Sequence, residues 1–339
     1  MPLELLLGGV MLVSLTFYAL LAGADYGGGV WDLLASGPRA KAQRDLVAKA
    51  IAPIWEANHV WLILVVVVLF TAFPKAYALI STSLHVALLL LLLGIVLRGS
   101  AFIFRTNDTT PGQAKWQSGR VFAVASLCTP ILLGVVVGAL SSGTIRAPGE
   151  HETLAYFFTW VAPFPFAVGV FALVLFALLA AVYLTLETDD PPLQDDFRRR
   201  AIACEIVAAV VALTVFLLSG QDAPAILDRL ANSWWAWPLQ IVTAIAALGT
   251  LSALWTRRFP LARLCAAAQV TLILWGWAWA QYPYLVRPEL TIHNAAAPQA
   301  TMRALLWALA AGVAVLFPSY WYLFHVFKGS TQKSPVRHG

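Results

Sequence analysis

Residues 54–73 read IWEANHVWLILVVVVLFTAF, and after Pro74-Lys75-Ala76 a second apolar run, YALISTSLHVALLLLLLGIVL, fills 77–97. Each run holds about 20 residues, enough for an α-helix to cross a hydrocarbon core about 30 Å thick. A link this short predicts antiparallel neighbours. Working outward, the same pattern recurs over 4–24, 121–141, 156–184, 201–219, 237–255, 264–282 and 304–327, which makes nine expected transmembrane helices and an all-α, polytopic membrane protein. Pro163 and Pro165 predict a kinked, tilted or re-entrant start to the fifth run.

Composition agrees. Hydrophobic residues make up 60% of the 339 and charged residues 12%, against about 25% charged in soluble domains. The mean hydropathy of +0.77 excludes an ordinary soluble enzyme. The net charge of +5 is spread between apolar runs instead of forming one basic face, so lipid headgroups account for it better than nucleic acid. Cys128, Cys204 and Cys265 lie in separate apolar stretches without CxxC or CxxCH spacing, and are expected to be packing residues, not zinc or covalent haem ligands. The start, MPLELLLGGVMLVSL, lacks a basic n-region and a clear cleavage site, so it reads as a retained first helix.

Orientation follows from the basic residues, because cytoplasmic loops retain positive charge. The loops after spans one, three, five and seven, together with the tail from 328 to 339, hold 17 of the 22 Lys and Arg. The N-terminus is therefore expected outside and the C-terminus in the cytoplasm, which requires an odd number of spans. Trp234, Trp235 and Trp237, with Tyr282 and Tyr284, fall at predicted outer ends, as an aromatic belt does.

Ionisable groups at membrane depth are expensive, and each is a functional candidate. Asp25 ends the first predicted span in AGADYGGGVW, Glu56 opens the second in PIWEANHVW, and Arg98 closes the third in LRGSAFIFR, ahead of Arg105. Asp25, Glu56, Arg98 and Arg105 are expected to form a charge cluster near the cytoplasmic edge, with Glu56 facing Arg98. Such a cluster either fixes helix packing or admits protons through a carboxylate of raised pKa. His59 lies about 5 Å deeper than Glu56 along the helix, placed to relay a proton or to bond the cluster. His85 stands in mid-span with no His, Met or Cys at i±3 or i±4, so a bond to a neighbouring helix is expected before haem ligation. Gly23 and Gly27 form a GxxxG that favours close helix approach. Neither a phosphate loop nor HExxH is present.

GADYGGGVWDL, IAPIWEANHVWLILVVVVLFTAFPKAYA and LLGIVLRGSAFIFR together resemble subunit II of the cytochrome bd-type quinol oxidases, in order and spacing across the first 105 residues. The resemblance implies a bacterial inner-membrane complex that reduces oxygen to water with electrons from quinol. Its haem-bearing subunit I carries two haems b and one haem d. This chain, ligating none, would stabilise subunit I, shape a proton route through Glu56, His59 and Asp25, and offer oxygen access past Trp61. It further implies two four-helix bundles, at 1–141 and 201–327, with 156–184 as a peripheral helix. A bound quinone or lipid and a small accessory membrane subunit are further expected companions. Ala22 replaces an acidic residue of the family's Asp-Gly-x-Asp pattern, Ile103 replaces another, and Glu56 stands where Asp is frequent. These departures suggest a divergent branch, with the cyanide-insensitive type as the candidate. A secondary transporter and a purely structural membrane subunit are the alternatives. The odd span count and the edge position of the cluster speak against inverted repeats around a midplane site.

The orientation is testable with single cysteines placed in 39–49 or in the tail. Neither should react with a membrane-impermeant thiol reagent added to intact cells; strong labelling at either place would reverse the topology.

Overall fold

The computed structural model describes residues 2–51, 58–107, 113–146 and 159–329. Twelve helices and one two-stranded hairpin are found among them: α1 (Leu3–Leu33), α2 (Ala40–Ile51), α3 (His59–Ala72), α4 (Pro74–Ser83), α5 (His85–Asn107), α6 (Gln113–Ser142), α7 (Pro163–Leu184), α8 (Pro191–Asp222), α9 (Pro224–Asn232), α10 (Ala236–Trp255), α11 (Phe259–Gln281), β1 (Tyr284–Val286), β2 (Leu290–Thr291) and α12 (Gln299–Gly329). Seven are long and apolar enough to cross a membrane, and eight if the bent pair α3 and α4 counts as one. The ninth predicted run lies in α12, whose apolar part, Gln299–Val315, is shorter. The expected nine thus becomes seven to eight by length and composition among the described residues.

Several boundaries move for local reasons. α1 continues through GADYGGGVW to Leu33, so Asp25 lies about 12 Å inside the helix end and does not terminate it. The expected tight turn between spans two and three is a 117° bend between α3 and α4. Pro74 lacks the N–H that would continue the ladder, and it moves Phe73 out of helical geometry, to φ −133° and ψ 58°. As a result α5 begins at His85, which is exposed and donates from Nδ1 to the Thr82 carbonyl, 3.1 Å away, instead of lying in mid-span. Pro163 takes the first turn of α7, where a missing N–H costs nothing, so it starts that helix without kinking it. The basic segment after α1 folds as the amphipathic helix α2, with Gln43, Leu46, Val47 and Ile51 buried along one face.

The most consequential correction concerns the 156–184 run. Its described helix, α7, was expected at the periphery but packs against α1, α6, α8 and α11, and Leu175–Val182 are all buried. The run is apolar on every side, with six Ala and one Gly among its 29 residues, which suits a helix with neighbours all round. Among the described residues α12 has the more peripheral place, packing chiefly on α1 and α3.

Small residues set these approaches. A Cβ at Gly27 would strike the Phe176 carbonyl oxygen and lie 2.7 Å from the Ala180 methyl; one at Gly134 would lie 2.6 Å from the Gly169 Cα. The Gly23/Gly27 pair therefore seats α1 on α7 as its spacing suggests, and Gly134 does the same for α6. Gly9 has nothing within 4 Å of such a Cβ.

This contrast gives a direct test. Gly27→Ala should cost about 1–3 kcal/mol through overpacking and lower the thermal unfolding midpoint of the purified protein, whereas Gly9→Ala should leave it unchanged or slightly raised. Equal midpoints for the two variants would contradict the close α1–α7 contact.

Candidate functional site

Among the described residues, Arg98 of α5 is the largest side chain to be fully buried. A guanidinium in an apolar interior demands a counter-charge and saturated donors. Its Nη2 donates to Asp25 Oδ1 at 2.6 Å and to the Asp25 carbonyl at 3.2 Å, and its Nε donates to Ser126 Oγ of α6 at 3.1 Å. The cation also lies over the rings of Tyr26, at 4.7 Å, and Phe122, at 5.0 Å. One side chain thereby ties α1, α5 and α6 together.

Of the four residues expected to cluster, Asp25 and Arg98 pair directly. Glu56 and His151 lie outside the described residues, and for Arg105 only the helical backbone, two turns beyond Arg98, is described. His59 opens α3. Its ring lies 6.4 Å from that of Tyr18 and 6.5 Å from that of Tyr26. Ala22, fully buried, packs with these two tyrosines and Phe176. Trp61 stacks on Phe17 at 4.6 Å and 23° on the flank of the same α1–α3 contact. Ile103 is exposed.

Sequence reasoning passed over a second feature of this pocket. Asp25 Oδ2, Tyr18 Oη, Tyr26 Oη and His59 Nδ1 are buried and complete no hydrogen bond of good geometry. The two phenols are close enough to interact with each other, and His59 is within reach of the Asp25 and Arg98 charges. Four polar atoms therefore gather beside one ion pair with capacity left over, a setting in which ordered water is the usual partner. Tyr18, Tyr26 and Asp25 fall on α1 at steps of eight and one, so the helical register held the signal.

The other histidines lie elsewhere. His293 pairs with Glu4 at 3.2 Å at the opposite end of the molecule, and the His325 side chain lies outside the described residues. No group of three or more His, Cys, Asp or Glu converges among the described residues.

A second buried polar contact was also missed. Glu205 of α8 accepts from Gln269 Nε2 of α11 at 2.7 Å, and both residues are buried. Glu205 falls within the predicted span 201–219, where the rule applied to Asp25 and Glu56 holds equally; its proximity to Arg198–Arg200 disguised it as part of a loop.

Beyond the pocket, the end carrying the basic segments is laced by ion pairs. Asp196 receives Arg39 through two bonds, at 2.6 and 2.8 Å, and Gln43 at 2.8 Å. The Asp196 carboxylate in turn holds the Arg39 guanidinium above its usual range. Arg200 donates to Gln43 Oε1 at 2.7 Å, and Arg257 meets Asp195 at 2.9 Å. At the other end Arg229 donates to the Tyr282 carbonyl at 2.6 Å. Trp234 and Trp237 are exposed there, as an aromatic belt requires.

Comparison with known proteins places this geometry. The family model for cytochrome bd terminal oxidase subunit II matches residues 3–327. Cytochrome bd-I ubiquinol oxidase subunit 2 of Escherichia coli K12 is 31% identical over 219 residues, covering 63% of this chain and 55% of that protein. The matched part thus spans about half the length of that relative. The putative cytochrome bd menaquinol oxidase subunit II of Bacillus subtilis 168 is 21% identical over 91% of both chains. The bd oxidase structure from Geobacillus thermodenitrificans superposes with a TM-score of 0.81, at 22% identity, over 96% of this chain and 99% of that one. With the family model matched along nearly its whole length, this chain belongs to the cytochrome bd terminal oxidase subunit II family.

Proposed function

We propose that this chain serves as the second subunit of a quinol:oxygen oxidoreductase in a bacterial inner membrane, holding no haem itself and supporting a haem-bearing subunit I. Family membership supports the complex, and the buried Asp25–Arg98 pair with its surrounding unfilled polar atoms supports a part in proton supply. Reduction of oxygen to water consumes protons, and a route to them through a membrane helix bundle needs polar atoms that water or a titrating side chain can bridge. The haems, two of type b and one of type d, belong in this reading to subunit I, and supply the redox chemistry there.

Within the chain, Arg98 donates to Asp25 Oδ1 and leaves Oδ2 free to accept a hydrogen bond. Tyr18, Tyr26 and His59 extend that polar surface toward the start of α3. Glu56, three residues before His59, is the acid that takes up protons from the side bearing the basic segments, which this reading assigns to the cytoplasm. Trp61 and Phe17 form an aromatic flank suited to passage of apolar oxygen. Quinone or lipid is a further expected occupant of the helix interfaces. Nine crossings are reached if α3 with α4 counts once and α12 crosses. They group as two four-helix bundles, with α7 in the second and α12 outside both.

Two experiments separate proton supply from scaffolding. Glu56→Gln should assemble with full haem content yet slow quinol-driven oxygen reduction by about tenfold to a hundredfold, while Glu56→Asp keeps most of the rate because the group still titrates. Wild-type turnover with an unchanged pH profile in Glu56→Gln would leave Glu56 a structural partner.

Arg98→Leu strands the Asp25 carboxylate in an apolar interior and should cost about 3–5 kcal/mol, read as lost assembly. The double variant Asp25→Leu/Arg98→Leu should recover stability. If it also recovers the wild-type rate of oxygen reduction, the pair is a clamp with no part in proton supply.

A further inference from the structure

The Glu205–Gln269 contact holds a buried carboxyl with no counter-charge among the described residues, and one proton would remove its charge. Glu205 is 3% exposed and Gln269 5%, and alanines at 201, 208, 262 and 266 surround them in the main core cluster. α8 packs mainly on α7, and α11 on α10 and α7, so the two polar side chains meet across a seam between helices that do not pack closely on each other. Their single hydrogen bond, at 2.7 Å, leaves Glu205 Oε2 and Gln269 Oε1 buried with no partner. Among the described residues no ion pair reaches Glu205.

The charged and titratable groups around the seam do not supply one. On α8 the neighbours are Cys204, which feels the Glu205 charge, and Arg200, engaged with Gln43 and the Leu34 carbonyl. On α11, Arg263 lies over the Tyr183 ring of α7 at 4.8 Å, and Cys265 packs toward Gly249 of α10. α10 contributes no ionisable side chain over Ala236–Trp255.

An ionised Glu205 therefore leaves a net charge and two surplus acceptors in an apolar interior, each costly there. A neutral carboxyl turns one of those oxygens into a donor and removes the charge. The 2.7 Å separation suits an O–H···O bond as well as an N–H···O bond, and turning the amide by half a turn puts Oε1 where Nε2 stood, so that it accepts from the protonated carboxyl.

We propose that Glu205 and Gln269 form a proton-binding site in the second half of the molecule. One proton resides on the Glu205 carboxyl in the resting protein and exchanges with the aqueous face carrying Arg198, Arg199 and Arg200. Glu205 lies five residues beyond Arg200, about 8 Å along the helix, close enough for one or two waters to reach. The site shares no residue with the Asp25 pocket and stands whether or not that pocket conducts protons.

Infrared spectroscopy of the purified, fully assembled complex tests this. At neutral pH the protonated-carboxyl region should contain a band that Glu205→Gln removes, that Gln269→Leu moves to higher frequency by withdrawing the amide, and that transfer of the wild type to D2O moves to lower frequency. A spectrum unaltered in Glu205→Gln means that Glu205 is ionised and overturns the proposal. So does a band that ignores Gln269→Leu, or one that fails to respond to D2O after hours. If Glu205→Gln does not assemble, the Gln269→Leu and D2O shifts carry the decision.

Discussion

A guanidinium placed among apolar helices leaves the surrounding structure little choice. Arg98 has five N–H donors and one charge, and the chain answers with a carboxylate from α1, a hydroxyl from α6 and two aromatic faces. α1, α5 and α6 must hold a common height and rotation for those groups to converge. The glycine contacts then set how near α7 comes to α1 and α6, and the remaining helices pack outward from that core. Removing one partner of such a pair is more damaging than never having had it, because the survivor keeps its desolvation cost.

Close packing and ion pairing constrain each other at one further point. A Cβ at Gly29 would collide with the Ser126 hydroxyl, the same hydroxyl that receives Arg98 Nε. A residue larger than glycine at 29 would therefore loosen a hydrogen bond belonging to neither its own side chain nor its own helix.

Hydropathy made the membrane class legible, and the resemblance of three sequence blocks made the family legible, because both depend on local runs that survive without a tertiary context. Asp25 and Arg98 were recognisable as candidates since each is an isolated charge in an apolar run. Their nearness was also expected, but Glu56 was the acid expected to face Arg98, and run boundaries placed Asp25 at a helix end, whereas α1 continues two turns further. Hydropathy falls through GADYGGGVWDL, yet those glycines are helical because α2, α6 and α7 press against them. The bend after Ala72 was hidden for the opposite reason: apolar character continues across it while Pro74 breaks the ladder. Nothing in a single run distinguishes a central helix from a peripheral one, so the place of α7 emerged only from its neighbours. Glu205 was legible by the rule already in use and was masked by the three arginines before it.

The latch between α2 and α8 bears on biosynthesis. Arg39 and Asp196 are 157 residues apart, and Trp31, which donates to the Ala177 carbonyl, finds its partner 146 residues later. At about 5–20 residues per second, α1 and α2 wait roughly 10–30 s for the segments that complete them. During that interval the glycine-rich face of α1 has no α7 to lie against, and α2 has only the end of α1. A nascent chain that is half-made thus displays an unfinished seam to whatever shares the insertion site, and the first helix to emerge is among the last to be fully enclosed.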